Sequence, residues 1–180
     1  MQSMMATMTG VRVEGAAIPF DEVYSQHADA VYRFCVSQLG DVTVAEDVAG
    51  DVFAAAFAAY DRVRPAAEGV RTWLFRIARN AVIDQYRREG RRRSLLLRVG
   101  RDRRCEDSVE ESAEMRSDLR SICTALETLR ERDRQLVGLR VAAGLSYAEA
   151  GAVLGIREGA TRTATHRALE RVRVILREEP

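Results

Sequence analysis

The sequence predicts an all-α fold with two small helical domains, an N-terminal helical bundle and a C-terminal helix-turn-helix domain, joined by a charged flexible linker. Apolar residues recur at intervals of three and four along both halves of the chain, which is the spacing of one helix face. Only three prolines occur in 180 residues, so few positions forbid a helix. A hydrophobic content of 47 % with 31 % charged residues is typical of globular domains with a packed core.

The distribution of charge predicts where the two domains meet. The 28 basic residues, all arginine, nearly balance 27 acidic ones, but they are segregated. The net charge is +7 over 87–104, between −4 in the chain before it and −5 over 105–118. Apolar periodicity also fails there, which is typical of a linker. The predicted parts are a disordered tail (1–17), a first domain (18–88), the linker (89–117) and a second domain (118–178).

Three helices are predicted in the first domain. Pro19 suits a first helical turn, and Gly40 suits a helix end. The residues from Thr43 to Glu46 form a capping-box pattern that opens the second helix. The segment 61–69, which contains a proline, is predicted as a loop. The three predicted helices are 19–39, 43–60 and 70–88.

The third helix mixes basic, polar and aromatic side chains on one face. Arginines that alternate with aromatic rings are typical of surfaces that bind a single nucleic-acid strand, because guanidinium groups neutralise phosphates and rings stack on unpaired bases. A solvated face with Trp73 and Tyr86 in the core remains an alternative. Residues within or beside this arc are Trp73, Arg76, Arg79, Asn80, Ile83, Tyr86 and Arg87.

The C-terminal pattern predicts a helix-turn-helix. Helices over 119–129 and through Val141 precede a second capping box, Ser146 to Glu149, and Gly155 suits the tight turn before the last helix. That helix, from Glu158 to Arg177, has an apolar side and a polar side. The polar side is predicted to face duplex DNA, and a water-facing helix of a bundle is the alternative. Its polar residues are Arg162, Thr163, His166, Arg167, Glu170 and Arg173, and its apolar ones Ala160, Ala164, Ala168, Leu169, Val172, Ile175 and Leu176.

No metal, disulfide or membrane signal accompanies these patterns. Cys35, Cys105 and Cys123 are far apart, and His27 and His166 are equally isolated, so no cofactor site is predicted. The N-terminal residues lack a basic start followed by an apolar run, and no uncharged stretch reaches the roughly 18 apolar residues of a membrane span. The chain is therefore expected in the cytoplasm, without membrane insertion.

Three segments in this order resemble an extracytoplasmic-function (ECF) sigma factor of the sigma-70 family, from about Phe20 to Arg177. They are AEDVAGDVFAAAF (45–57), VRTWLFRIARNAVIDQYRR (70–88) and LRERDRQLVGLRVAAGLSYAEAGAVLGI (129–156). The resemblance implies a protein that is not an enzyme by itself, has no catalytic residues, and directs core RNA polymerase to particular promoters. It also implies an anti-sigma factor as a further partner.

The resemblance assigns roles to the motif residues. Glu46, Asp47 and Asp51 would bind core polymerase. The helix over 70–88 would melt and bind minus-ten DNA, and the helix from Glu158 would read the minus-thirty-five element. The implied minus-ten contacts are Trp73 for strand separation, Asn80 for an extruded base, and Arg76, Arg79 and Arg87 for the backbone. The implied minus-thirty-five contacts are Arg162, Thr163, His166 and Arg167.

Some residues depart from the family pattern. Gly50 stands where the polymerase-binding helix has glutamine, and Ala150-Gly151 replaces a bulky-small pair. Thr161 and Thr165 lie on the apolar side of the last helix. The basic segment 87–104, with Arg91, Arg92 and Arg93, is also unusual, and it is hypothesised to contact nucleic acid or an acidic partner.

Two other readings of the sequence stay open. One is a stand-alone helix-turn-helix transcriptional regulator with an N-terminal dimerisation or effector domain, which would bind duplex DNA alone, usually as a dimer. The other is a protein-interaction bundle with solvated basic faces. The first reading leaves the segment WLFRIARN (73–80) unexplained, and the second predicts no transcription that depends on core polymerase.

Overall fold

The computed structural model describes residues 18–97 and 121–178, with side chains except at 92–97 and 178. Every regular element in these ranges is helical, which confirms the all-α prediction. The predicted tail, 1–17, and the linker from residue 98 onward lie outside the described residues. The elements are α1 (Phe20–Leu39), α2 (Val42–Val63), α3 (Ala67–Leu97), α4 (121–127), α5 (Glu131–Val137), a π-helical turn (Gly138–Ala142), α6 (Tyr147–Leu154) and α7 (Glu158–Glu178).

Local signals set most helix ends where the sequence predicts them. Pro19 caps α1, and Gly40 ends it with φ of 70° and an N–H that donates to the Val36 carbonyl. The predicted start of α2 is one residue late. Asp41 is the cap, since its carboxylate accepts the Val44 N–H at 2.9 Å, and no capping box forms at Thr43.

The first domain is more helical than predicted. The loop before α3 shrinks to 64–66, because α2 continues to Val63 before Arg64 adopts a left-handed φ of 41°. At the other end, α3 continues through 89–97, nine residues into the predicted linker. Apart from Gly90, those residues are good or neutral helix formers, and a strong net charge does not by itself stop a helix.

The second domain follows its predicted pattern. The Ser146 hydroxyl accepts the Glu149 N–H, and the Glu149 carboxylate accepts the Ser146 N–H, so the capping box is complete. Gly155 then closes α6 with φ of 69°. The helix before it is less regular than predicted, because α5 passes directly into the π-helical turn at Gly138.

The main hydrophobic cluster joins the two domains. Phe34 of α1 and Phe75 of α3 are fully buried, with ring centroids 5.8 Å apart in an edge-to-face arrangement. Leu139 and Leu145 of the second domain belong to the same cluster. A smaller cluster lies within the second domain and contains Ala125, Leu126, Leu129, Val137, Ala168 and Val172. The two domains are therefore packed together and share a core.

The buried side of α7 includes Ala168 and Val172 of the predicted apolar set and both threonines that the sequence placed on that side. Thr161 and Thr165 are fully buried, whereas Ala160 is exposed. Each threonine hydroxyl donates to the carbonyl four residues before it, at 3.0 and 2.8 Å, so neither is left unsatisfied. Gly151 and Thr161 both depart from the family pattern, and the structure shows why they occur together. A Cβ at position 151 would lie 2.7 Å from the Thr161 hydroxyl oxygen and 2.6 Å from the Ile156 carbonyl oxygen, so glycine leaves room for the threonine.

Gly151→Ala should therefore destabilise the second domain by about 1–3 kcal/mol through overcrowding, measured as a lower urea midpoint of unfolding. Adding Thr161→Ala relieves one of the two close contacts, so the double variant should be more stable than the sum of the single effects. Gly159→Ala is the matched control, since nothing lies within 4 Å of a Cβ there. An unchanged urea midpoint for Gly151→Ala would contradict this packing.

Candidate nucleic-acid and polymerase interfaces

The acidic residues of α2 form an open surface. Glu46, Asp47 and Asp51 are all exposed and lie opposite the buried stripe of that helix. The Asp51 carboxylate is 3.8 Å from an Arg88 guanidinium nitrogen, and both side chains are exposed. All three carboxylates are accessible from solvent, so a basic or polar partner could reach them.

Phe57 adds an aromatic ring to the same surface. Its side chain is 68 % exposed, whereas Phe53, one turn earlier on the same helix, is buried. Phe57 lies eleven residues after Glu46, which is close to three helical turns and puts the two on one side of α2. Its ring packs edge-to-face with that of Phe20, at 5.2 Å between centroids. A large exposed aromatic beside carboxylates is typical of a protein-binding surface.

The mixed face of α3 is partly open. Asn80 and Arg87 are exposed, and Arg87 pairs with Asp84 at 3.2 Å. Trp73 is half-buried, and its ring centroid lies 5.9 Å from that of Tyr60. One side of the Trp73 indole therefore packs against the core, and the rest of the ring is accessible to solvent.

The two other minus-ten candidates contact the second domain. The Arg76 guanidinium donates to the Ala152 carbonyl from Nη2 at 2.8 Å and from Nε at 3.3 Å. Arg79 Nε donates to the Gln135 side-chain oxygen at 2.9 Å. The structure therefore divides the predicted minus-ten set between residues without a described contact to the helix-turn-helix domain and two arginines, the exposed Arg76 and the half-buried Arg79, that donate hydrogen bonds to it.

Two further arginines of the first domain also donate hydrogen bonds to the second domain, and the sequence pattern did not single them out. Arg71 Nη2 donates to the Ala143 carbonyl at 2.6 Å, and Arg33 Nε donates to the Ala142 carbonyl at 3.1 Å. Arg71 also lies 3.7 Å from the Glu149 carboxylate. Burial raises the pKa of that carboxyl, but hydrogen bonds from Ser146 and the charge of Arg71 outweigh it and leave the pKa below its usual value.

A polar network extends the contact between the domains. The buried Gln38 amide donates to the Arg134 carbonyl at 3.2 Å, and the Tyr86 hydroxyl donates to the Gln38 carbonyl. The Arg134 guanidinium lies over the Tyr86 ring at 5.1 Å. Burial raises the pKa of Tyr86, which keeps the hydroxyl protonated as a donor.

The exposed face of α7 matches the predicted DNA-reading face. The four candidates on it are all exposed: Arg162, Thr163, His166 and Arg167. Arg162 pairs with Glu158 at 3.2 Å, one turn earlier. The Thr163 hydroxyl donates to the Gly159 carbonyl at 3.1 Å, which orients its side chain along the helix.

Tyr147, the first residue of α6, lies against this face of α7, and the sequence pattern did not single it out. Its ring has the Arg140 guanidinium at 4.1 Å and the Arg162 guanidinium at 5.0 Å from its centroid. A cation over an aromatic ring is attracted to it, so Tyr147 favours one position of Arg162. The only signal in the sequence was an aromatic residue directly after the Ser146 cap.

Within the described ranges, no helix combines the length and apolarity needed to cross a membrane. The same residues contain no group of three or more histidine, cysteine, aspartate or glutamate side chains arranged to hold a metal ion.

An arginine-rich helix face and a helix-turn-helix in one chain are typical of a DNA-binding protein with two nucleic-acid surfaces. Two family models match the chain, "Sigma-70 region 2" over residues 23–92 and "Sigma-70, region 4" over residues 119–172. The chain belongs to the ECF RNA polymerase sigma factors of the sigma-70 family, which confirms the resemblance.

Curated relatives carry the same family name. The chain is 36 % identical over 165 residues to the ECF RNA polymerase sigma factor SigE of Mycolicibacterium smegmatis, covering 88 % of this chain but 62 % of that protein. It is 29 % identical over 174 residues to SigL of Mycobacterium tuberculosis, covering 97 % of both. It is 32 % identical over 157 residues to SigD of Mycobacterium bovis, covering 84 % of this chain and 74 % of that protein.

Two solved structures are similar to the whole arrangement. The sigma factor RpoE of Bartonella quintana, in complex with the anti-sigma factor NepR, has a TM-score of 0.71 and 25 % identity, over 89 % of this chain and 98 % of that one. CnrH, in complex with the cytosolic domain of CnrY, has a TM-score of 0.67 and 27 % identity, over 89 % of both chains. Scores this high over both domains require the two domains to superpose together.

Proposed function

We propose that this chain binds core RNA polymerase and directs it to promoters through two separate DNA-binding surfaces. The observation that carries the proposal is the pairing, in one chain, of the α3 arginine and aromatic face with the open polar face of α7, within the segments that match regions 2 and 4. The chain acts by binding, not by catalysis, and its place of action is the cytoplasm. Its DNA affinity comes largely from the polymerase, which agrees with a formal net charge of only +1.

The minus-ten element is the proposed ligand of the α3 face. Trp73 stacks at the edge of the melted region in this proposal, and Asn80, which is exposed about two turns further along α3, hydrogen-bonds an extruded base. Arg76, Arg79 and Arg87 supply charge for the backbone. Extruding a base costs a few kcal/mol, and stacking and phosphate contacts offset this cost.

The minus-thirty-five element is the proposed ligand of α7. Arg162 is near the start of the helix, where side chains reach base edges in the major groove. Arg167 lies further along, where contacts are more often to phosphate. Thr163 and His166 complete the face with hydrogen-bonding groups that suit bases or phosphates.

The exposed acidic face of α2 is the proposed docking surface for the polymerase. Glu46, Asp47 and Asp51 provide charge, and Phe57 provides an apolar anchor at the end of the same face. An anti-sigma factor is proposed as a second protein partner, because a similar solved structure is a complex of the sigma factor RpoE with the anti-sigma factor NepR.

Promoter binding measured with and without core polymerase tests this function against the two alternatives. A random-sequence DNA library is incubated with the chain alone, with core alone and with both, and bound DNA is sequenced. The proposal predicts two-part enriched sites only when both proteins are present. Enrichment of a palindromic site by the chain alone would favour a stand-alone regulator, and no enrichment in any sample would favour a protein-interaction bundle.

A further inference from the structure

Arg140 lies beside the exposed face of α7 without belonging to that helix. It is the third residue of the π-helical turn, and neither the sequence pattern nor the family resemblance gave it a role. Its guanidinium carbon is 4.1 Å from the centroid of the Tyr147 ring, and the guanidinium carbon of Arg162 is 5.0 Å from the same centroid. The two cations therefore share one aromatic ring, and their separation cannot exceed the sum of these two distances.

The charges around this ring are not balanced. Two guanidinium groups so close repel each other, and a neutral ring offsets only part of that repulsion. Glu158 pairs with Arg162 at 3.2 Å. The charge of Arg140 acts on the Glu149 carboxylate, whose salt bridge is with Arg71 at 3.7 Å. These three arginines and two carboxylates leave one positive charge in excess, so the cluster can accept an anion.

The Arg140 side chain is held in place without a matching protein acceptor. Its Nε is buried and has no hydrogen-bond partner among the described residues, and the side chain as a whole is only partly buried. The Tyr147 ring supports the flat face of the guanidinium group. A guanidinium group fixed in this way presents N–H donors in the geometry that matches phosphate oxygens.

The position of Arg140 suits the wall of a DNA groove. The major groove is about 12 Å wide, so a side chain that reads a base on its floor is about 6 Å from the phosphates of either wall. Arg162 is the proposed base reader, and Arg140 projects from a separate element at the side of α7. Tyr147 is the first residue of α6, the first helix of the helix-turn-helix, and in this motif the first helix crosses the DNA backbone.

We propose that Arg140 binds a backbone phosphate of the minus-thirty-five DNA, at the wall of the groove whose floor Arg162 reads. This inference rests on the proposed function of α7. Tyr147 contacts both guanidinium groups and sets the distance between them. The phosphate contact therefore fixes the register in which Arg162 meets its base, while it carries no sequence information itself.

The experiment measures how salt affects promoter binding by the holoenzyme. Core polymerase with the full-length chain is titrated against a labelled duplex that carries a promoter from the library selection, at several salt concentrations. Arg140→Gln should weaken binding about tenfold at the lowest salt concentration, as expected for one charged hydrogen bond. The slope of log affinity against log salt should become less steep by about 0.9, which is the value of one phosphate contact. The order of preference among promoters with altered minus-thirty-five bases should not change.

Two variants control for charge. Arg140→Lys keeps the positive charge and should keep the salt slope of the wild type. Arg132→Gln removes an exposed arginine elsewhere in the same domain, next to Asp133, whose carboxylate pairs with Arg171 in the C-terminal half of α7. It should match the wild type in affinity and in slope. Equal effects of Arg132→Gln and Arg140→Gln would mean that net charge, and not a contact of Arg140, explains the loss.

A purely structural role of Arg140 gives a different result. If Arg140 only braces Tyr147, Arg140→Gln should alter preference at the base that Arg162 reads and leave the salt slope unchanged, and this outcome would overturn the proposal. Arg140→Met, which keeps a long aliphatic stem, replaces Arg140→Gln if that variant has a lower thermal unfolding midpoint than the wild type. An unchanged slope in the folded variant would likewise show that Arg140 binds no phosphate.

The same titrations separate this proposal from the function on which it rests. If the wild-type holoenzyme binds no selected promoter, the proposed sigma function fails. If the wild type binds and Arg140→Gln keeps its salt slope, only the phosphate contact of Arg140 is wrong.

Discussion

Neutralising the three carboxylates of α2 together, as Glu46→Gln, Asp47→Asn and Asp51→Asn, should weaken binding to core RNA polymerase by about a hundredfold. The replacements are nearly isosteric and remove only charge. The thermal unfolding midpoint should change little, because the three side chains are exposed and make no buried contact. Fluorescence anisotropy of the labelled chain, titrated with core polymerase, measures the effect. The affinity of the triple variant should also depend less on salt than that of the wild type.

A variant with the same change in charge provides the control. Asp21→Asn, Glu68→Gln and Glu127→Gln remove three exposed carboxylates that lie outside this face. This variant should bind core polymerase like the wild type. Equal losses in the two triple variants would mean that net charge, and not the α2 face, controls polymerase binding.

Arg162→Ala should weaken transcription from the preferred minus-thirty-five sequence by about ten- to a hundredfold and relax preference at one base position. A single arginine that reads a guanine edge contributes about 1–3 kcal/mol of discrimination. Arg177→Ala, which removes the same charge near the far end of α7, should leave base preference unchanged. The measurement is transcription by reconstituted holoenzyme from a set of promoters with each base varied in turn. A preference profile that Arg162→Ala leaves unaltered would contradict the role of this face.

Substitution of Tyr147 tests the role of Arg162 independently. Tyr147→Ala removes the ring that lies against Arg162 and should relax the same base position as Arg162→Ala, with a smaller loss. Tyr147→Phe keeps the ring face and should restore the wild-type profile. A loss that Tyr147→Phe does not restore would assign the effect to the hydroxyl instead.

Local signals made the helices predictable. Pro19, Gly40 and Gly155 mark helix ends by their backbone chemistry, and the capping box at Ser146 is complete in the structure. The same reasoning failed at Thr43, because the preceding Asp41 was an equally good cap. The C-terminal limit of α3 was also missed, because a charged segment can continue a helix as readily as it can form a linker.

The docking of the two domains could not be read from such signals. A row of arginines satisfies phosphates and carbonyl oxygens with the same donors, so the pattern on α3 predicts a binding surface without fixing its occupant. Gly138 carried a weak hint, since an isolated glycine within a helical pattern often reflects close packing. The contact it makes with Gln38 and Ser37 depends on tertiary structure.

The relation between Gly151 and Thr161 was equally hidden. Each looked like a separate departure from the family pattern, yet the absence of a side chain at 151 makes room for the hydroxyl at 161. Residues ten positions apart can compensate in this way only because the turn at Gly155 brings α6 and α7 together.

Run-off transcription with purified core polymerase tests the central claim most directly, that this chain is a sigma factor with separate polymerase and promoter surfaces. On a promoter obtained from the library selection, core polymerase with the wild-type chain should give a defined transcript, and core polymerase alone should give none. The α2 triple variant and Arg162→Ala should each reduce that transcript, and excess polymerase should restore it only for the triple variant. The absence of a transcript from every selected promoter with the wild-type chain would contradict the claim.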